Sequence, residues 1–315
     1  MNQRQSEKDV TNRVNVENAS DVREAIAAIL AARYPGEDLS LLKRVFDDVE
    51  SLFEGRLPGY LSCDTPYHDL RHTLDVTLAL ARLVDGHDRV RAEADRLGAR
   101  RAQLGIIIAL LHDSGYVKRA SEAGIANGAV FTKVHVSRGA EFIADYLPKI
   151  GFGPEVEVAK QIVHFTGYEM NLEDIKLGEP KDRLLGTLIG TADLIGQMSD
   201  RTYLEKVRDF LYHELVWGEV ARETTPDGGQ IVRYASAEDL VSKTPEFFEL
   251  ARDRVVNKLG GVHRYAGAHF DGANPYLVEI DRNMKFLRDA LRDGDLARLR
   301  RICRSLSRLE EIEHR

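Results

Sequence analysis

The chain is predicted to be all-α, a bundle of helices with a helical C-terminal extension. Three observations lead there. Apolar residues recur three and four apart through most segments between loops. The stretch Ala102–Leu111, AQLGIIIALL, is apolar nearly all round, as in a buried central helix. Strand signals are few, and Ile231-Val232-Arg233-Tyr234 is the one short extended candidate.

The elements follow in order. Residues 1–19 are polar throughout and read as a disordered tail. Ser20 stands as N-cap of a helix running to Arg33, with Val22, Ile26, Ile29 and Leu30 at helical spacing. Pro35 and Gly36 end it, and Leu41, Leu42, Val45, Phe46 and Val49 mark a second amphipathic helix. A long loop holds Pro58, Gly59 and Pro66, and a helix is expected over 67–84. The apolar helix 102–111 ends on His112 and Asp113. Residues 120–131, rich in Gly, Ala and Ser, read as a loop, either a plain connection or a lid hinged at Gly124 and Gly128. Helices are expected over 134–147, 154–165, 181–198 and 201–222.

The strongest break in the second half is TTPDGGQ, residues 224–230, so the core domain is set at 20–222 and the extension, packing on it, at 223–315. Thr244-Pro245-Glu246 has the form of a helix start, a cap followed by Pro at the first helical position. The last two helices are expected over 275–291 and 294–312. Arg298, Arg300, Arg301, Arg304 and Arg308 make the final one basic, as a homodimer contact, a tail packed on the core or a solvated face.

Composition narrows the function classes. With 315 residues, 43% of them hydrophobic and 30% charged, the chain can bury a substantial core. Its net charge of −7 argues against a sequence-specific nucleic-acid binder, which would carry a basic face. Cys63 and Cys303 lie far apart and form no metal or disulfide framework, in keeping with a reducing cytoplasm. No apolar run approaches the roughly 18 residues needed to span a membrane, so the expected location is cytoplasmic.

Three segments carry chemistry. In Tyr67-His68-Asp69-Leu70-Arg71-His72, the two histidines are four apart and share a face if the segment is helical; the plain alternative is a polar face with two chance histidines. In Leu110-Leu111-His112-Asp113-Ser114-Gly115, an imidazole and a carboxylate end a core helix, where they need a partner such as a divalent cation. Asp193 is a lone acid among Leu188, Ile189, Leu194 and Ile195, calling for a metal, a donor or a salt bridge to arginine. His135 opens one helix and His164 closes another. His87, His263, His269 and His314 lie near element ends or in the tail and read as solvated, and His213 as a surface or packing residue.

The ordered series His72, His112-Asp113 and Asp193 on a helical chain resembles the HD-domain phosphohydrolases. The segment YHDLRHTLDV is also similar to the YHNxxHxxDV signature of class I cyclic nucleotide phosphodiesterases. The resemblance covers roughly residues 40–215. It implies an HD-domain-like fold in which His72, His112, Asp113 and Asp193 bind one divalent metal and His68 is the proton donor. It further implies a second metal held by His135 and His164 with Asp113 bridging. Asp69 replaces the phosphodiesterase asparagine, and no GYP motif is present, which speaks against cyclic-di-GMP hydrolysis. Gln197 lies near the place of the purine-binding glutamine.

The reaction implied is hydrolysis by metal-activated water of a phosphodiester in a small, first of all cyclic, nucleotide. Mixed His and carboxylate ligands suit one or two ions of Mn, Fe, Ni, Co or Zn, and magnesium less. Lys133 and Arg138 flank His135 and are candidates to neutralise the phosphoryl oxygens, as is Lys118; each is otherwise a solvated cation. The alternatives are a nucleotide phosphomonoesterase or triphosphohydrolase, a di-iron oxygenase on the same fold, and a nucleotide-binding module without turnover.

Overall fold

The computed structural model describes residues 4–225, 227 and 229–301. It is all-helical apart from one hairpin. The first half holds α1 (Ala19–Arg33), α2 (Ser40–Phe53), α3 (Leu70–Val90), α4 (Ala99–Leu111), α5 (His135–Tyr146) and α6 (Val156–Ile162). The second holds α7 (Pro180–Ser199), α8 (Tyr203–Lys206), α9 (Tyr212–Trp217), α10 (Ala237–Asp253), α11 (Arg264–His269) and α12 (Pro275–Arg292). Strands β1 (Arg222–Thr224) and β2 (Gln230–Val232) pair antiparallel, with Glu223 opposite Ile231. No described helix is long and apolar enough to cross a membrane.

The bundle is organised around α3. Every residue from Arg71 to Asp88 is buried, because α1, α4, α7 and α11 all pack on this helix. One hydrophobic core runs from Val10 through the helices to Leu299, and α12 packs on α7. The apolar α4 is likewise buried along its length from Leu104.

Several expectations are corrected. Residues 4–18 are not a disordered tail but a folded strap over α3 and α7. Asp9 accepts the N–H groups of Arg13 and Val14, both at 2.9 Å, and pairs with the buried Arg82. Arg4 donates to the carbonyl of Ser199 at 2.8 Å, and Val16 enters the core. Polar composition hid this order because its polar groups pair with distant residues. The cap of α1 is Asn18, whose side chain accepts the N–H of Asp21, not Ser20.

Helix α3 starts at Leu70 rather than 67. The Asp69 side chain caps it by accepting the His72 N–H at 2.9 Å, which leaves Tyr67 and His68 in the preceding turn. The helix expected over 201–222 ends at Trp217 and contains a π-helical turn, Val207–Leu211. Thr244-Pro245 lies inside α10, which begins at the Ser236 cap; Pro245 has no N–H to continue the ladder, and the helix tolerates the loss. Beyond α12 the described residues hold only the short turn Leu296–Arg298, and Arg304, Arg308, Cys303 and His314 lie outside the described residues.

The segment 120–131 is built from two 3-10 turns and is pinned at both ends. Lys118 pairs with Asp64 at 2.6 Å and donates to the carbonyl of Ile125 at 2.9 Å, and Asn127 donates to the Asp64 carbonyl. That makes it a fixed wall rather than a lid, and spends the Lys118 charge. Three histidines expected in solvent are instead wholly or partly buried. His87 is buried against Asp88, His269 bonds Asp85 at 2.7 Å, and the His263 Nδ1 is buried.

Candidate metal centre

Two helix ends and one helix middle converge on a cavity of about 460 Å³. His72 comes from the first turn of α3, His112 and Asp113 from the residues just past α4, and Asp193 from the middle of α7. All four line the cavity, as do His68 and His135.

Gly115 explains the tight convergence. A Cβ there would stand 1.8 Å from the His135 carbonyl oxygen, so only glycine lets the start of α5 dock on the His112-Asp113 turn. Gly190 does the same on α7, where a Cβ would meet the Phe165 carbonyl oxygen at 2.4 Å.

The ligand-type atoms face one another. His72 Nε2 lies 3.4 Å from both Asp113 Oδ2 and Asp193 Oδ1. His112 Nε2 lies 3.1 Å from Asp113 Oδ2 and 3.9 Å from Asp193 Oδ1. His72, His112 and Asp113 each offer one atom within 4.8 Å of the others, all buried, and so could hold a metal ion. His112 Nε2 and Asp113 Oδ2 are shut off from solvent, yet neither has a hydrogen-bond partner of proper geometry. Orphaned polar atoms in a buried site call for a ligand.

Backbone carbonyls aim two of the rings. His112 Nδ1 sits 2.7 Å from the Ala109 carbonyl, and His135 Nδ1 2.8 Å from the Thr132 carbonyl. A carbonyl only accepts, so each Nδ1 carries the hydrogen, and the ring in its neutral form turns an Nε2 lone pair inward. Burial alone would lower the His112 pKa; the adjoining Asp113 carboxylate outweighs it and raises it to about 9. Burial likewise works to raise Asp113, but His112 and the other imidazoles hold it well below the ordinary carboxylate range. Such a pair attracts a positive charge strongly, whether proton or cation.

His68 is held differently. Its Nδ1 lies 2.5 Å from Glu214 Oε2 on α9, and Glu214 Oε1 accepts the Tyr67 N–H at 2.6 Å. Burial lowers the His68 pKa, but the Glu214 charge overrides it and leaves it at about 9. Tyr116 stacks on both His68 and His135, each with ring centroids 4.5 Å apart. Thus His68 and His72 reach one cavity, though from a turn and a helix rather than one helical face.

The other expected residues divide between the cavity and the rest of the fold. His164 does not line the cavity; its Nδ1 is buried without a hydrogen-bond partner. Arg138 is on α5 but faces the 120–122 turn, giving two 2.9 Å bonds to Glu122 and one to the Gly115 carbonyl. Lys133 does line the cavity, half exposed and paired with Glu223 at 3.2 Å. Gln197 lines it too, and its Oε1 accepts the Tyr67 hydroxyl at 3.1 Å. His213 is a surface contact of Trp217.

Glu214, Glu169 and Tyr116 were missed. Glu214 adjoins the apolar Leu215 and Val216 on α9, a weaker form of the signal that singled out Asp193. Glu169 accepts the N–H groups of Val136 and Ser137, which fixes the start of α5 beside His135.

A family model described as Npun_R2479-like matches residues 119–258, under half of the chain. That stretch contains His135, Asp193 and Glu214 but not His72, His112 or Asp113. No curated protein and no solved structure matches the chain.

Proposed function

We propose that the protein is a metal-dependent phosphohydrolase of the HD type that cleaves a phosphodiester in a small nucleotide, a cyclic nucleotide first. The observation that carries the reading is the buried His72, His112 and Asp113 cluster, in which His112 Nε2 and Asp113 Oδ2 lack a hydrogen bond of proper geometry inside a cavity. The metal would be held by these three and Asp193. A bound divalent metal supplies Lewis acidity and lowers the pKa of a bound water.

The chain's own groups serve the rest. His68 keeps its Nδ1 hydrogen on Glu214 and, being protonated at neutral pH, presents the Nε2 hydrogen to the departing ester oxygen. Tyr116 fixes the plane of its ring. Lys133 is the cation at the cavity wall able to turn from Glu223 to a phosphoryl oxygen; Arg138, committed to Glu122, is not. Were a second metal to bind, Asp113 and His135, whose Nε2 lies 3.7 Å from Asp113 Oδ1, would be the residues to hold it, while His164 does not line the cavity.

The cavity lining supports this choice of substrate class. One lysine and no arginine line it, which suits a singly charged diester better than a triphosphate. Leu194, Leu211, Leu215 and Phe247 form an apolar wall that suits a base ring.

The test is a panel of cyclic and linear nucleotides assayed with Mn²⁺, beside metal content. His112→Ala is expected to lose bound metal and to lower turnover on the order of a thousandfold. If the metal-loaded wild type cleaves no phosphate ester with any divalent ion, the reading fails.

A further inference from the structure

A second cavity, of about 440 Å³, opens between α7, α10, α12 and the π-helical turn Arg254–Lys258. Small-molecule sites commonly run about 300–1,000 Å³. It lies back to back with the metal cavity. On α7, Leu194 and Gln197 line the metal cavity, whereas Ile195 and Met198 line the second. On α10 the split falls between Phe247 and Phe248. Neighbouring helical residues point about 100° apart, so these two helices are the partition.

Its chemistry is two-sided. Ile195, Met198, Phe248, Val255 and Ile280 provide apolar walls. The charged lining is Arg252, Arg288 and Asp281, and with Glu249 beside both arginines the charges balance, so what the two guanidiniums offer is unused hydrogen-bond donors. Both guanidiniums share Glu249, at 3.7 and 3.9 Å, beyond hydrogen-bond reach. Neither donates a hydrogen bond among the described residues. Their planar donor sets are therefore open to an oxyanion.

Backbone geometry gives a second reason to look here. The α10 ladder runs into a π-turn, which delivers Val255 and Val256 to this cavity. Single π-turns within helices occur often at functional sites. Val256 and Leu277, at the same opening, remain partly exposed at 45% and 37%.

We propose that this cavity binds an amphipathic monoanion, an apolar chain or ring carrying one carboxylate. The apolar body lies along Ile195, Met198 and Phe248, and the carboxylate meets Arg252 and Arg288. Bound there, it presses on the far side of the two helices that wall the metal cavity. The site is independent of whether the first cavity hydrolyses phosphate esters.

Calorimetric titration of the full chain with decanoate, set against decyltrimethylammonium, tests it. The expected result is saturable one-to-one binding of decanoate and none of the cationic analogue. Arg252→Gln/Arg288→Gln, both on the surface and outside the core, is expected to weaken decanoate at least about tenfold. Hydrogen exchange should slow over 190–199 and 240–252 with decanoate in the wild type, and less in the double variant at the same concentration. Absence of saturable binding overturns the proposal. So does equal binding of the cation, or an unchanged affinity in a double variant that melts like the wild type.

Discussion

The two halves of α3 bury charge in opposite ways. Toward its start, His72 faces Asp113 and Asp193, and His112 Nε2 and Asp113 Oδ2 face each other without a hydrogen bond of proper geometry. Toward its end, each buried charge is matched. Arg82 bonds Asp9 and the Tyr276 hydroxyl, and Asp85 takes Arg33 and His269. Asp88 takes His87, the Tyr34 hydroxyl and the N–H groups of Leu97 and Gly98. One helix thus carries a scaffold that is internally complete and a centre that is not. Buried polar groups are expected to find partners, so the incomplete end is where an external ligand is called for.

The contrast breaks most clearly at Arg82. Arg82→Leu strands the fully buried Asp9 carboxylate, a loss expected to destabilise the fold by about 4 kcal/mol. A thermal melt reads it, and the folded fraction should keep the metal uptake proposed for the His72, His112 and Asp113 cluster. A variant as stable as wild type would mean that the far half of α3 is not the scaffold its pairing suggests. Acid sharpens the same point. Burial pushes Asp9 up, but Arg82 and the Val14 and Arg13 N–H groups bring its pKa down to about 2, from an ordinary 3.8. Its contribution is present above pH 4 and is lost as pH falls toward 2.

Asp75, between the two halves, titrates in the opposite direction. Burial first, and then the Asp200 charge, raise its carboxyl pKa to about 6, and its Oδ1 has no hydrogen-bond partner. A raised acid favours the folded state below its unfolded pKa and loses that contribution as pH rises through 6. Asp75→Asn is therefore expected to stabilise the protein at pH 8 by up to about 3 kcal/mol, with the gain vanishing below pH 4. Melts of both proteins across that range check it; a destabilised variant at pH 8 would show that the carboxylate has an ionic task.

Legibility in the sequence follows the same divide. His112-Asp113 and Asp193 could be read because each interrupts an apolar helix, a local anomaly visible without partners. The all-α class could be read from periodicity. The strap of residues 4–18 could not, since Asp9 meets Arg82 across 73 positions, and nothing in a polar string announces a distant ion pair. His68 was placed on the helix because four-residue spacing fits one; the Asp69 cap, a local bond that competes with helix, moved it into the turn. Arg138 shows the limit of proximity in sequence. It lies three residues from His135 yet points to Glu122, because the docking of α5 on residues 114–116 sets its rotation.

The smallest expected effect lies at Glu214, which joins the two kinds of behaviour. It is a fully paired buried acid, like those of the scaffold, but its partner is the candidate proton donor. Glu214→Gln keeps the shape and an oxygen for the Tyr67 and His68 N–H groups, and removes the charge that raises His68. Turnover is expected to fall by about tenfold, with KM little changed. Because the lost charge had raised the His68 pKa, protonated His68 now disappears at lower pH. The alkaline limb of the activity profile should therefore move toward neutrality. A purely structural glutamate would lower the melting temperature and leave that limb in place, so the pH profile, not the rate alone, decides whether Glu214 sets the proton on His68.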